Sequence, residues 1–383
     1  MGSLPWFYSK VNIRTISSIT ELERFCKKSF NDEPPFINFD FFKNLEITQC
    51  TNHKTGWIPE HIVIESQKSV IAIIPNFKKF NSNGEYVFDH IFANAHHQIG
   101  IDYYPKYLSA IPFTPVSREK FLYHKEEIDP KELALNLINF LEKKKVSSFH
   151  INFIDKKNSS FLNSSGFIQR LGIQYFWYNK PYSSFVEFLS KLKRNKRKNI
   201  IKEREYLKNL NISFSIKKGK EIDFNDIKLF YMCYLNTIKK KWSIPYLTHS
   251  FFTELIKTDL AEKLLIIQAF RGKKFLGCSI HFIGKDTLYG RYWGCIEEIK
   301  FLHFELCYYQ AIEFAIKNKI RKVEAGAQGE HKIARGYVPE LTFSNHWFRN
   351  ESLKEPIKVF LKEEKKKIIE SLEYLNEYIP FND

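Results

Sequence analysis

No apolar run in this chain approaches the roughly 20 residues that span a bilayer; the longest candidates, 264–270 and 108–113, are short core segments. The sequence therefore predicts no integral membrane protein. Its six cysteines (Cys26, Cys50, Cys233, Cys278, Cys295 and Cys307) contain no CxxC pair and no regular spacing. That excludes a disulfide framework and predicts reduced, buried thiols of a cytoplasmic protein. The first residues lack a positive segment followed by an apolar one, so no signal peptide is expected. Gly2 invites a myristoylation reading, but Trp6 stands where that motif needs Ser or Thr. Methionine is scarce as well, at 2 residues.

Aromatic residues and positive charge are abundant. Phe, Tyr and Trp make up 16% of 383 residues, and 59 Lys+Arg against 43 Asp+Glu leave a formal charge of +16. The length predicts about two domains, each able to bury its own core without staples. The charge is uneven: residues 181–383 hold +12 of it. Such an excess attracts nucleic acid, anionic lipid or a polyphosphate cofactor; a Lys-rich genome would raise the same count with no partner.

Periodicity predicts mixed helices and strands. Thr20 and Glu23 suggest a capping box before a helix through Phe30. Residues 62–64 and 70–74 read as paired strands, 131–145 as a helix and 148–154 as a strand. Pro105, Pro112 and Pro115 exclude a long strand or helix between them and favour a loop against a pocket. One helix is expected over 184–209, with nine Lys/Arg and two Glu between 191 and 208. A helix at 224–241 precedes strands at 264–270, 275–283 and 287–294. A helix at 301–318, a strand at 321–326, an irregular loop and a charged, mostly solvated helix at 354–375 follow. Hairpins followed by helix and strand point to an α+β fold, with domains at 1–180 and 181–350 and a tail at 351–383.

Chemistry concentrates between residues 286 and 347. Strand alternation predicts Tyr289, Arg291 and Trp293 on one face, where an arginine between aromatics can clamp a carboxylate or phosphate. A half-buried strand with a snorkelling arginine is the plainer reading. His303 and Cys307, four apart on a helix, would suit a nucleophile pair or ordinary packing; the spacing supplies no metal site. After the strand come Gly326, Gln328, Gly329, Glu330, His331, Lys332, Arg335 and Gly336. Glycines let the backbone turn and expose N–H groups. Glu330 supplies a base, His331 a proton carrier, and Lys332 and Arg335 two cations, a set suited to moving an acyl group to an amine. A solvated polar turn would contain the same types. His96 and His97 read as a polar surface pair.

Several strings together resemble one family. YGRYWG (289–294), LHFELCYYQAIEFAI (302–316) and EAGAQGEHKIARGY (324–337), with Thr342, Ser344 and His346, are similar to the FemAB-like family of peptidoglycan biosynthesis/recognition proteins. Gly56, Trp57, Pro59 and His61, GEYVFD (84–89), YYPK (103–106), PFTPV (112–116) and PYLT (245–248) extend the likeness over about residues 56–347. The resemblance implies tandem acyltransferase domains of the GNAT type, as in Fem-type aminoacyl transferases, which pass an amino acid from aminoacyl-tRNA to the peptide amine of a cell-wall precursor. It also implies a basic helix opening the second domain, here with Arg194, Arg197 and Lys198 as anion-binding residues, and a lysine near a glycine, here Lys332 and Gly336. The Q/R-x-x-G-x-G/A loop that cradles coenzyme A is not found, so acyl-CoA and aminoacyl-tRNA both remain as donors, neither tightly bound.

The expected function is an N-acyltransferase or aminoacyltransferase. Glu330, His331 and Lys332 are the catalytic candidates, and Tyr289, Arg291, Trp293, Gln328 and Arg335 the substrate-binding ones. Tyr86, Asp89, Tyr104, Lys106 and Thr114 are candidates for the acceptor side, with a structural role for the aromatics equally open. The acceptor would be a small-molecule or peptide amine, with tRNA as a further partner. The alternatives are a non-catalytic binding module for an anionic glycan, peptide or tRNA-like ligand, and attachment to a membrane surface through 191–208.

Overall fold

The computed structural model describes residues 11–29, 34–67, 69–120, 122–123, 130–240, 244–327 and 329–382. Gly2, Trp6, Phe30 and Gln328 lie outside them. Contacts gather the chain into two compact units, each built from three stretches: residues 1–31, 51–171 and 342–365, then 32–50, 172–341 and 366–383. The sequence divides the chain at 180 and 350 instead. Three of the boundaries fall inside long elements, not linkers: Ile168–Tyr178, Val338–Phe348 and the helix Glu351–Glu377.

In the first unit, the hairpin His61–Ser66 and Ser69–Ile74 pairs antiparallel with Ile62 opposite Ile74. A second set of strands centres on Ser148–Ile154, whose residues are all buried. It runs parallel to Lys106–Ser109, inside the proline-rich stretch, and antiparallel to residues 343–348. The strand alternates Ser148, His150 and Asn152 with apolar residues, and both faces are buried. Pro130–Lys143 is the expected helix, and its Leu137 and Leu141 pack with Ile62, Phe149 and Trp347. The first helical turn is capped by Ser18 and Glu21 rather than Thr20 and Glu23. Val338–Phe348, expected as irregular loop, is an 11-residue strand.

The second unit is an antiparallel meander, Ile212–Lys218, Leu264–Arg271, Lys274–Ile283 and Thr287–Cys295. Thr287–Cys295 then pairs parallel with Lys322–Glu324, which pairs antiparallel with residues 176–178. The architecture is α+β, as hairpins followed by helix and strand predict. Two helices depart from expectation. The helix expected over 184–209 breaks into Phe185–Ser190 and Arg194–Asn209. Leu192 is drawn into the core, and the Lys193 N–H donates to Pro380 O at 2.7 Å instead of continuing the helix. The helix at 302–317 contains a π-turn, Glu305–Tyr309; its extra residue buries Tyr308 and Tyr309 side by side.

The helix Phe224–Lys240 lies directly on Thr287–Cys295 at Gly294, where an added Cβ would sit 2.1 Å from Cys233 O and 2.8 Å from Thr237 Oγ1. Neither backbone can yield without repacking the sheet. Gly294→Ala should therefore lower the unfolding free energy by about 1–3 kcal/mol. Urea denaturation measures this, and an unchanged midpoint would contradict the close approach.

Candidate active site

Thr287–Cys295 and Lys322–Glu324 are paired over only three residues, Thr287 to Tyr289 against Lys322 to Glu324. Past Glu324 the chain turns at Gly326 (φ 79°) and coils as the 3-10 turn Glu330–Arg335, closed by Gly336 (φ 90°). Both glycines adopt backbone that other residues rarely take. The parting of the strands leaves room between the end of one and the turn after the other.

A bulge governs which side chains face that room. Pairing shifts from Ile280–Tyr292 to His281–Gly290, leaving Arg291 as the extra residue. Bulges reset alternation. Tyr289 and Arg291 lie against Phe36, at 5.3 Å between rings and 4.9 Å from guanidinium to ring. Trp293 turns to the opposite face, 4.4 Å from the His303 ring. The three residues expected on one face are thus divided by one inserted residue.

Arg291 does not stand ready for a substrate anion. Its Nη2 donates to Glu324 Oε1 at 2.6 Å, and the two side chains are 1% and 4% exposed. Nη1 donates to Gly290 O at 2.8 Å, and Gln174 Nε2 to Glu324 at 3.3 Å. Beside this pair, Lys332 is buried; its Nζ donates to Gly326 O at 3.0 Å and lies 5.9 Å from the Tyr175 ring. Burial lowers its pKa to about 8; Glu324 opposes that shift and Arg291 adds to it.

His331 is exposed, with its Nε2 2.9 Å from the Tyr308 hydroxyl and its ring 5.8 Å from Phe304. Desolvation and the charges of Arg335 and Lys332 hold its pKa below the usual imidazole value. Gly329 makes room for that ring, since an added Cβ would lie 2.5 Å from His331 Cε1. Glu330 is exposed at the start of the turn and acts on the Tyr175 hydroxyl through its charge. Arg335, expected at the substrate, is buried: it donates to Glu203 at 2.9 and 3.1 Å and to His331 O at 2.8 Å, and lies over Phe304 at 3.4 Å. Burial pushes the Cys307 thiol far above the usual range, which favours ordinary packing over a nucleophile pair. A cavity of about 550 Å³ adjoins these groups through Trp293, His303 and Phe304, with Lys240 and Lys300 also lining it.

Of the basic-helix candidates, Arg194 and Lys198 are exposed, while Arg197 reaches Ser190 O at 3.4 Å. The same helix turns Arg204 inward to Glu305 at 2.9 Å and Glu203 to Arg335. Composition signalled the exposed cations; nothing local signalled Glu203 or Glu324, which tie the site together.

The first-unit candidates form a different object. Lys106 is buried between Asp89 and Glu85, donating to both, to Glu85 at 2.8 Å. Ser82 Oγ donates to Asp89 at 2.9 Å and meets the Tyr104 hydroxyl at 2.8 Å. Lys79, missed in the sequence, is buried 3.8 Å from the Trp57 ring and 3.7 Å from Glu85; burial lowers its pKa to about 7. Asp89 and Lys106 are therefore internal charges that fix the loops around them. Tyr86 is exposed (φ 59°), and Thr114 is buried with Oγ1 lacking a protein partner, in no hydrogen bond to the cluster. His96, expected on the surface, is fully buried; His97 is exposed.

Behind Lys106 a hydrogen-bond chain runs inward. Tyr103 donates its hydroxyl to Asp89 at 2.6 Å. Its oxygen then accepts from His150 Nε2 at 2.9 Å, so His150 Nδ1 accepts from His346 Nδ1 at 2.8 Å and His346 Nε2 accepts from Ser344 at 3.0 Å. In this order, with the Ser344 hydroxyl as donor, both imidazoles are neutral. Burial, chiefly, holds both far below the ordinary value of 6.5.

Comparison with solved structures identifies the fold. FemX matches with a TM-score of 0.51 at 12% identity, over 91% of this chain and 100% of that one. A conserved protein of unknown function from Bacteroides thetaiotaomicron matches with 0.51 at 12% identity, over 88% and 99%. The C-terminal domain of a putative lysylphosphatidylglycerol synthetase from Agrobacterium fabrum matches with 0.50 at 6% identity, over 76% and 85%. The fold is thus the one that FemX has. The chain itself belongs to the FemAB-like family, described as peptidoglycan biosynthesis/recognition, whose model matches residues 16–383. A sequence search of curated proteins finds no match. Among the described residues no helix is long and apolar enough to cross a membrane.

The histidine chain makes a stability prediction. Imidazoles whose folded pKa lies below the unfolded value stabilise the fold above about pH 6.5, and that contribution is lost as pH falls. Between pH 6.5 and 5, unfolding free energy should drop with a slope approaching about 1.4 kcal/mol per pH unit for each histidine. Urea titrations at stepped pH test it; a flat profile would refute the neutral pair.

Proposed function

We propose that the chain is an N-acyltransferase or aminoacyltransferase that moves an acyl or aminoacyl group to an amine, with a peptidoglycan-precursor-like molecule as acceptor. The observation that carries this reading is Lys332: a buried ammonium with a depressed pKa, set by the Arg291–Glu324 pair where two parallel strands part. Family membership supports the same class.

In this reading the acceptor amine attacks the donor carbonyl. His331, neutral near pH 7 and with Nε2 turned to Tyr308, takes the amine proton on Nδ1. The C–N bond forms and negative charge gathers on the carbonyl oxygen. The Lys332 ammonium and the main-chain N–H at the Arg291 bulge stabilise that oxyanion. Collapse expels the donor's oxygen or sulfur, which recovers the proton from His331. Glu330, exposed beside Tyr175, holds the incoming ammonium before it is deprotonated.

The donor carries phosphates in either form, acyl-CoA or aminoacyl-tRNA, and the exposed Arg194 and Lys198 support such a polyanion. A binding module without chemistry would share the cations, and only turnover separates it from this reading, since Lys79 is also a buried lysine with a lowered pKa.

Two predictions follow from these roles. kcat/KM should rise as His331 loses its proton below pH 6.5 and fall above about pH 8 as Lys332 loses its own. Lys332→Ala should cost about 10²–10³-fold in kcat, and Lys332→Arg should carry the falling limb to higher pH. Retention of both limbs and full turnover in a folded Lys332→Ala protein would remove the assignment.

Replacing Arg194 and Lys198 by alanine should lower the slope of log Kd against log salt by about 1 per residue for a tRNA acceptor stem. For CoA the binding should be weaker throughout and the change smaller. An unaltered slope with both probes would exclude this helix from donor binding.

A further inference from the structure

The bulge that gives Arg291 to Glu324 also gives Trp293 to the cavity of about 550 Å³. Trp293, Phe301, His303 and Phe304 all line that cavity, and all four are partly exposed. Their rings form a continuous run, with centroids 4.4 Å apart from Trp293 to His303, 5.6 Å from His303 to Phe304 and 6.3 Å from Phe304 to Phe301. Phe301 takes a left-handed backbone (φ 69°), which a bulky residue rarely adopts. Strain of this kind gathers at binding and catalytic sites.

The polar groups of the wall are engaged or exposed. Thr237 Oγ1 donates to Cys233 O at 3.2 Å and to Trp293 O at 3.0 Å. Lys240 and Glu298, both exposed, pair with each other. Lys300 is exposed, with its Nζ 4.9 Å from the Phe301 ring centroid, and Cys295 is buried. The cavity therefore offers a ligand chiefly ring surface and the Ile299 side chain. Such a surface favours another ring, offset or edge-on, over an aliphatic chain of equal area.

The aromatic wall reaches the candidate chemistry. The His331 ring lies 5.8 Å from Phe304 and 6.2 Å from His303. Glu330 and Tyr175, which the proposed reaction places at the incoming amine, do not line the cavity. We propose that this cavity is the specificity pocket for the transferred group and receives a flat aromatic ring, as carried by an arylacyl or aromatic aminoacyl donor. The inference rests on the transferase reading for what carries the ring. An acetyl or alanyl group is too small to cover the four rings. Both donor types also contain adenine, but a ribose separates it from the acyl carbonyl, and in coenzyme A the pantetheine and pyrophosphate do so as well. A pocket beside His331 fits the acyl group's own ring better.

The binding test uses the full chain with 15N-labelled histidine, and the resonance lost in His303→Asn identifies His303. N-acetylphenylalanine amide should move that resonance, while N-acetylalanine amide should leave it in place. Trp293→Leu keeps apolar bulk but removes the indole face, and should weaken binding about tenfold. Phe301→Leu, at a partly exposed position, should weaken it several-fold and guards against a misfolded Trp293 variant. In turnover, a phenylalanyl or phenylacetyl donor should exceed its alanyl or acetyl counterpart about tenfold in kcat/KM, and Trp293→Leu should bring the ratio near one. Failure of the phenylalanine amide to bind would overturn the inference, and so would adenosine monophosphate moving His303 in its place. Transfer without aromatic preference would overturn the inference and leave the transferase reading intact. No transfer from any donor, with the aromatic amide still bound, would remove the transferase reading and support the cavity's ligand class.

Discussion

The buried ion pair between Arg291 and Glu324 is the constraint on which the second unit's site depends. Removing two charges from water costs several kcal/mol per ion, and attraction offsets this only with good geometry and further hydrogen bonds. Both are present: a 2.6 Å contact, Gln174 on the carboxylate, Gly290 O on the guanidinium, and two aromatic faces around the arginine. Arg291 is the extra residue of a bulge and Glu324 the last residue of a short strand. The pair therefore locks the two strands at the point where they part. It also sets the field at Lys332, with Glu324 favouring the ammonium and Arg291 opposing it. An arginine that looked like a substrate clamp is spent on an internal ion pair beside Lys332.

The first unit solves a related problem differently. Lys106 sits between two carboxylates, and the surplus hydrogen-bonding capacity of Asp89 is passed through Tyr103 to two histidines and a serine. Each member is ordered by the next, and a proton added to His150 Nδ1 would meet the N–H that His346 Nδ1 presents to it. Buried networks of this kind are costly when half satisfied and rigid when complete. Here the network fixes the turn at 82–89 and the aromatic pair Tyr103 and Tyr104, which explains why the sequence concentrates polar residues among prolines there.

Much of the fold was legible in the sequence. Alternation marked the meander and the hairpin His61–Ser66 with Ser69–Ile74, and helical spacing marked Phe224–Lys240 and Pro130–Lys143. What escaped was what a single residue decides. One inserted residue at Arg291 turned Trp293 to the other face, and one extra residue made the π-turn at Glu305–Tyr309. Neither alters composition or average period. Val338–Phe348 was hidden because its polar Ser344, Asn345 and His346 are buried, with Ser344 bonded to His346 and Asn345 Nδ2 to Ser159 O, against the usual reading of such residues as loop. His96 was misplaced for the same reason: its Nδ1 is satisfied by its own helix. Motif strings marked Glu330, His331 and Lys332 as neighbours in sequence; Tyr308, which bonds His331, and Glu324, whose charge acts on Lys332, come from two other elements.

The positive charge of the second unit can now be divided by what it touches. On Arg194–Asn209 the inward residues Glu203 and Arg204 are matched within the unit, to Arg335 and to Glu305 and Glu313. The basic excess of that helix is what remains outside, at Arg194 and Lys198 among others. Exposed cations contribute little to folding stability, and like charges crowded on one helix oppose it. Their concentration therefore has no structural return within the protein, whereas a uniform lysine-rich bias would have spread over every surface. The same helix anchors Arg335, whose main-chain neighbours His331 and Lys332 carry the candidate chemistry. The helix with the external charge and the turn with the candidate residues are in this way joined by the Glu203–Arg335 pair.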